Sequence, residues 1–166
     1  MPATRLPRSI FVATLVAGVV QCVHDFPVLP DRMASHFAAS GMPNGWMTKS
    51  QFFVLYALLT VPALILEFWL PRRIVSHPKR INLPNKEYWL APERRAATFG
   101  YLEVFFAWYG CAFLLLEISA MGLAMRANFN DPARLPAAPI VSSLAAFLFF
   151  NIVAVLAMYR RFSLVA

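Results

Sequence analysis

Three histidines and eight carboxylate side chains carry most of the acid–base chemistry of this 166-residue chain. His24 and Asp25 are adjacent, His36 follows in a polar stretch, and Glu117 stands alone inside a long apolar run. Imidazole and carboxylate together suit zinc or another divalent ion, so His24, His36, Asp25 and Glu117 form a candidate metal set. No HxxxH or HExxH spacing sets two ligands on one helix face. The plainer reading has His24 and Asp25 closing a helix end and Glu117 either bonded to Gln21 or protonated, with no cofactor expected.

Two polar segments carry further candidates. "HFAASGMPNGW", residues 36–46, combines His36, whose residue type changes charge near neutral pH, with an Asn44-Gly45 pair suited to a tight turn and Trp46, an amphipathic ring of the kind that collects at membrane interfaces. His36, Asn44 and Trp46, with Asp25, Glu117 and Gln21, are the candidate ligand-binding residues. "HPKRINLPNKEYWLAPERR", residues 77–95, offers Asn82, Asn85, Tyr88, Trp89, Glu93 and Arg94 as donors, acceptors and stacking faces. Its bland reading is a clamp that packs Tyr88 and Trp89 under the rest of the molecule and pairs Glu93 with a neighbouring arginine. Pro92 fits the first turn of a helix, and Glu93 its positive dipole end.

These segments must be positioned by something very apolar. Sixty per cent of the residues are hydrophobic and 14% charged, and four runs approach the 20 or so apolar residues that cross about 30 Å of hydrocarbon. They lie at about 9–26, 51–70, 99–125 and 138–159. The expected fold is all-α, a membrane-spanning four-helix bundle forming one domain over 1–166, with a short amphipathic helix over residues 32–39 in the first outer loop. The first run follows Arg5 and Arg8 as a secretion signal would, but no small-residue cleavage site follows it, and it reads as a retained helix. Cys22 and Cys111 both fall inside spans, where a thiol behaves as a small apolar group, so no disulfide is expected.

Lys and Arg near helix ends are held on the cytoplasmic side. Eleven of the 15 basic residues fall in the N-terminal tail, the middle loop and the C-terminal tail, leaving Arg32, Lys49, Arg126 and Arg134 opposite. Both termini are therefore expected in the cytoplasm. The same bias accounts for a net charge of +7, through attraction to membrane lipids. A nucleic-acid partner would need a folded basic domain for which the loops have no room.

Helices in lipid meet through small and polar residues. Thr14, Gly18, Gln21 and Asp25 make one such face, Tyr56, Thr60, Ala63 and Glu67 a second, and Glu103, Ala107, Gly110 and Glu117 a third. Ser143 and Asn151 mark the fourth helix less neatly. Glu67 and Glu103 are expected to pair with Arg72, Arg73, Arg94 and Arg95, whereas Glu117 stands about 21 Å along its helix from Glu103, with no basic residue of its own helix closer than Arg126.

The two polar blocks resemble a bacterial family of small integral membrane proteins of unknown function, whose domain is also found at the N-terminal end of SdpI-type immunity proteins. The resemblance rests on His36, Phe37, Gly41, Pro43, Asn44, Gly45, Trp46 and Lys49, then on Asn82, Pro84, Asn85, Tyr88, Trp89, Pro92 and Arg94. It implies a bacterial inner-membrane protein in a four-helix short form; immunity belongs to longer members with additional helices. Three functions compete, in this order: a binding or signalling protein with an outer recognition loop and a cytoplasmic readout loop; a small proton-coupled carrier using Glu117, Gln21, Asp25 and Asn151; and a membrane enzyme using His36 and Asp25. A peptide or protein partner follows from the first, and a homo-oligomer is compatible with all three.

Overall fold

The computed structural model describes residues 2–163. Among the described residues, four helices are long and apolar enough to cross a membrane: α1 (Arg5–Asp25), α2 (Lys49–Ser76), α4 (Pro92–Ala127) and α5 (Ala137–Ser163). The chain is a multi-pass membrane protein with an all-α bundle. Each helix begins before its apolar run, and α2, α4 and α5 also end after theirs, because helical hydrogen bonds continue into the polar flanks. A single turn, α3 (Lys86–Trp89), precedes α4.

The start of α2 is written locally. Thr48 accepts from the Gln51 backbone while the Gln51 side chain accepts from the Thr48 N–H, a reciprocal cap that satisfies two otherwise unpaired donors. Pro62 then interrupts the hydrogen-bond ladder, and shortly after it Ile65–Trp69 form a π-helical turn before the α-helix resumes. At the start of α4, Pro92 occupies the first turn, where its missing N–H costs nothing.

Helix α4 is the hub. At 36 residues it extends about 54 Å, longer than the hydrocarbon core, and α1, α2 and α5 all pack along it. One core cluster gathers Leu29, Met33, Phe52, Tyr56, Met121 and Met125 at the end where α1 leaves and α2 enters. A second, with Phe11, Ala63, Cys111 and Leu114, lies between α1, α2 and α4. A third, with Leu83, Trp89, Leu102 and Phe162, closes the opposite end, which carries most of the basic residues. Helix α5 buries chiefly Ala154 and Phe162 and leaves Leu148, Phe149 and Ile152 exposed, a face suited to lipid.

The expected amphipathic helix over 32–39 is replaced by a β-hairpin. Strand β1 (Arg32–Phe37) pairs antiparallel with β2 (Pro43–Thr48), with Arg32 opposite Thr48, Met33 opposite Met47 and Ala34 opposite Trp46. Met33 and Phe37 are spaced as on a helix face, so periodicity alone could not exclude a helix. Partners distant in sequence decide for the strand. The reversal is also not at Pro-Asn-Gly. It lies at residues 38–42, where the Gly41 N–H donates to the Ala38 carbonyl and the Ala38 N–H to the Met42 carbonyl, with Gly41 at φ 78°, a conformation glycine adopts without strain. Asn44 and Gly45 belong to β2, at an irregularity in the pairing opposite His36.

Candidate functional site

The hairpin is fastened to the bundle at three points. At its base, the Lys49 ammonium donates to the Leu29 carbonyl at 2.9 Å, lies 3.4 Å from the Asp31 carboxylate and sits 4.9 Å from the centre of the Phe26 ring. Along β1, the buried Asn128 at the end of α4 accepts from the Ala34 N–H at 2.7 Å and donates to the Ala34 carbonyl at 2.9 Å. It also donates to the Ala124 carbonyl of its own helix at 2.8 Å. At the tip, the Leu135 N–H donates to the Gly41 carbonyl at 3.0 Å. A Cβ on Gly41 would stand 2.3 Å from the Leu135 carbonyl oxygen, so only glycine permits this approach. Asn128 was missed by the sequence reading; its signal, an Asn just past the last apolar turn of a long helix, looks like any helix end.

A recess of about 400 Å³ opens between the hairpin and the α4–α5 connection. Pro30, Arg32, Trp46, Phe129, Asn130 and Asp131 line it. The Arg32 guanidinium lies 5.8 Å from the centre of the Trp46 ring. Trp46 and Phe129 remain 48% exposed each, two large apolar faces beside one basic and one acidic group. Of the candidate residues in this region, Trp46 alone lines the recess. His36 is exposed on β1, its Nδ1 in a 2.5 Å contact with the Asn44 Oδ1. Gly45 makes that pairing fit, since a Cβ there would stand 2.9 Å from the Cβ of His36.

The candidate metal set does not come together: His24 and Asp25 pair with each other, and His36 and Glu117 each have a partner outside the set. His24 Nδ1 contacts Asp25 Oδ1 at 2.8 Å, His36 contacts Asn44, and Glu117 Oε1 accepts from the Thr60 hydroxyl at 2.7 Å. No group of three or more His, Cys, Asp and Glu side chains stands together as a metal site among the described residues. Gln21 does not reach Glu117 as expected: its amide rests against Gly122, where a Cβ would meet Nε2 at 3.0 Å. Asn151 lies on the other flank of α4, accepting from the Tyr109 hydroxyl and donating to the Phe147 carbonyl at 2.7 Å.

The three polar stripes do converge. Asp25, Tyr56, Glu67 and Glu117 are all buried. Glu67 and Glu103, however, find a different partner from the expected Arg72, Arg73, Arg94 and Arg95. Arg8 of α1 sets its Nε 3.4 Å from Glu67 and its Nη2 2.7 Å from Glu103, bridging three helices. Gly110 leaves room for this, since a Cβ there would lie 3.3 Å from Glu67 Oε2 and 3.4 Å from the Ala63 carbonyl.

At the basic end, the segment before α4 grips the end of α5. The Trp89 indole N–H donates to the Phe162 carbonyl at 3.0 Å, as does the Asn85 amide. The Thr98 hydroxyl holds the Trp89 carbonyl at 2.9 Å. The Arg161 guanidinium lies 4.8 Å from the Trp89 ring centre, and Arg94 lies 4.0 Å from that of Tyr88. Glu93 is exposed in the first turn of α4 and forms no ion pair among the described residues, a correction to the expected pairing with arginine: Arg94 is turned onto Tyr88 instead. Asn82 is exposed beside Ile81.

No curated protein and no solved structure matches the chain. The segment that builds α1, the hairpin with His36, Asn44, Trp46 and Lys49, and the capped first turns of α2 does have relatives: residues 10–60 match the model of a protein family described as a domain of unknown function, DUF1648.

Proposed function

We propose that this is a binding and signalling protein of the bacterial inner membrane, with the hairpin facing outward as a recognition surface and the basic end in the cytoplasm. The observation that carries this reading is the recess between the hairpin and the α4–α5 connection. Aromatic faces left half-exposed beside opposite charges are the composition of contact sites for peptides and proteins, and here they stand on a hairpin fastened by Lys49, Asn128 and Gly41. A pre-organised surface loses little entropy on binding. The orientation rests on the eleven-to-four division of basic residues between the two ends.

Readout runs through α4. Its last turn holds Asn128 and therefore β1, while its first turns hold Trp89 through Thr98, so one continuous helix joins the recess to the cytoplasmic clamp. A ligand shifts the clamp only if it binds two arrangements of the bundle unequally. The carrier reading draws on a different observation: the Tyr56 hydroxyl and Glu117 Oε2 are buried without hydrogen-bond partners among the described residues, which in lipid marks either a transported group or a cost borne for packing.

A photoreactive amino acid placed at position 46 in living cells, compared with one at lipid-facing position 148, tests the proposal. A discrete protein or peptide adduct from position 46, absent from 148 and diminished by Arg32→Gln or Asp131→Asn, is the expected result. Identical adduct patterns from both positions would overturn it and leave the carrier reading in its place.

A further inference from the structure

At the basic end, apart from the residues of the recognition reading, a second recess of about 270 Å³ lies where α2 gives way to the following segment. Its lining combines the polar side chains of Arg73, His77, Arg80 and Asn82 with hydrocarbon from Leu70, Ile74 and Ile81. Arg73 and His77 share a helix face, with Arg73 Nη1 3.1 and 3.0 Å from the two ring nitrogens of His77. A single 3₁₀ turn, Pro78–Arg80, then brings the chain back, closed by the Arg80 N–H donating to the His77 carbonyl at 3.0 Å. Arg80 is thereby set on the same recess as Arg73.

Neither arginine has a carboxylate partner among the described residues. The ion pairs among the described residues belong to Arg8, His24 and Lys49. The adjacent Arg72 is occupied otherwise, donating to the Phe68 carbonyl at 2.6 Å. Two guanidiniums without counter-charge among the described residues, an amide and an imidazole, set beside hydrocarbon in one recess, complement one chemistry: a phosphate diester attached to acyl chains. Guanidinium groups bind phosphate oxygens through paired, charge-assisted hydrogen bonds, and basic side chains at the membrane surface gain about 1 kcal/mol each from anionic lipid.

We propose that this recess binds the headgroup of one anionic phospholipid from the leaflet it faces. Arg73 and Arg80 hold the phosphate, Asn82 donates to its oxygens or to the glycerol, and the first methylenes run along Leu70 and Ile74. The site does not depend on which side of the membrane the basic end occupies.

The test uses the full chain, purified in detergent and offered phosphatidylglycerol or phosphatidylcholine, with bound lipid counted by native mass spectrometry. One phosphatidylglycerol retained in preference to phosphatidylcholine is expected. Arg73→Gln/Arg80→Gln should weaken that retention roughly tenfold or more, while Arg72→Gln/Arg160→Gln, which removes the same charge outside the recess, should leave it within about twofold. If the double variant does not fold, Arg80→Gln alone, an exposed change in one turn, is expected to lower retention by several-fold. Equal loss from both pairs would show a general basic surface and overturn the site. So would indifference between the two lipids, or displacement of the lipid by inorganic phosphate at matched concentration, which would make the ligand a free anion.

Discussion

The amide of Asn128 does for Ala34 what a third strand would do, offering an acceptor to its N–H and a donor to its carbonyl. Both groups are buried, and an unpaired buried polar group costs about 1 to 3 kcal/mol. Asn128→Ala is therefore expected to destabilise the hairpin by roughly 2 to 4 kcal/mol while leaving the helices formed. Hydrogen exchange should show faster exchange over residues 32–48 with far-UV circular dichroism unchanged; unaltered exchange there would mean the hairpin stands by itself. Gly110 makes a second residue-scale case. Its missing Cβ leaves space for Glu67, so Gly110→Leu must force α2 from α4 and should lower the melting temperature in detergent well beyond the effect of Gly100→Leu, where nothing lies within 4 Å of the added atom. Equal shifts would misplace the seam.

Among the elements, α2 and β1 show what the sequence could and could not reveal. The small-and-polar stripes of α1, α2 and α4 were legible because helix periodicity places Gly18, Tyr56, Ala63, Ala107 and Gly110 on single faces, and all five are buried. The hairpin was not legible, because Met33 and Phe37 fit a helical period as well as a strand and the deciding partners, Asn128 and Leu135, are about a hundred positions away in the chain. The partner of Glu67 is hidden for the same reason: the arginines near it in sequence are Arg72 and Arg73, whereas the one that reaches it, Arg8, lies on another helix. That bridge gives a prediction at this scale. Removing Arg8 strands a fully buried Glu67, so Arg8→Gln should cost roughly 3 kcal/mol. Arg8→Gln/Glu67→Gln should recover most of it, because two neutral amides can bond each other across the same gap. Thermal unfolding of the single and double variants measures this, and a double variant no more stable than Arg8→Gln would deny the coupling.

At the scale of the whole molecule, α4 ties together parts that otherwise barely meet. The hairpin hangs from its last turn, α1 and α2 lie along its middle, and the clamp that grips α5 rests on its first turns. Trp89→Phe keeps the ring in the cluster but removes the bond to the Phe162 carbonyl. It should loosen the end of α5 at a cost of about 1 to 2 kcal/mol, seen as faster proteolysis after residue 160 with the hairpin undisturbed. Assigning a recognition role to one end and a readout role to the other depends on where the membrane puts them. The most direct measurement is labelling of Asn44→Cys and Asn85→Cys, in a chain whose Cys22 and Cys111 are replaced by Ala, with a membrane-impermeant maleimide on intact spheroplasts. Labelling at 44 before permeabilisation and at 85 only after it is the predicted result; labelling of 85 on intact spheroplasts would place the basic clamp outside and contradict the proposed function.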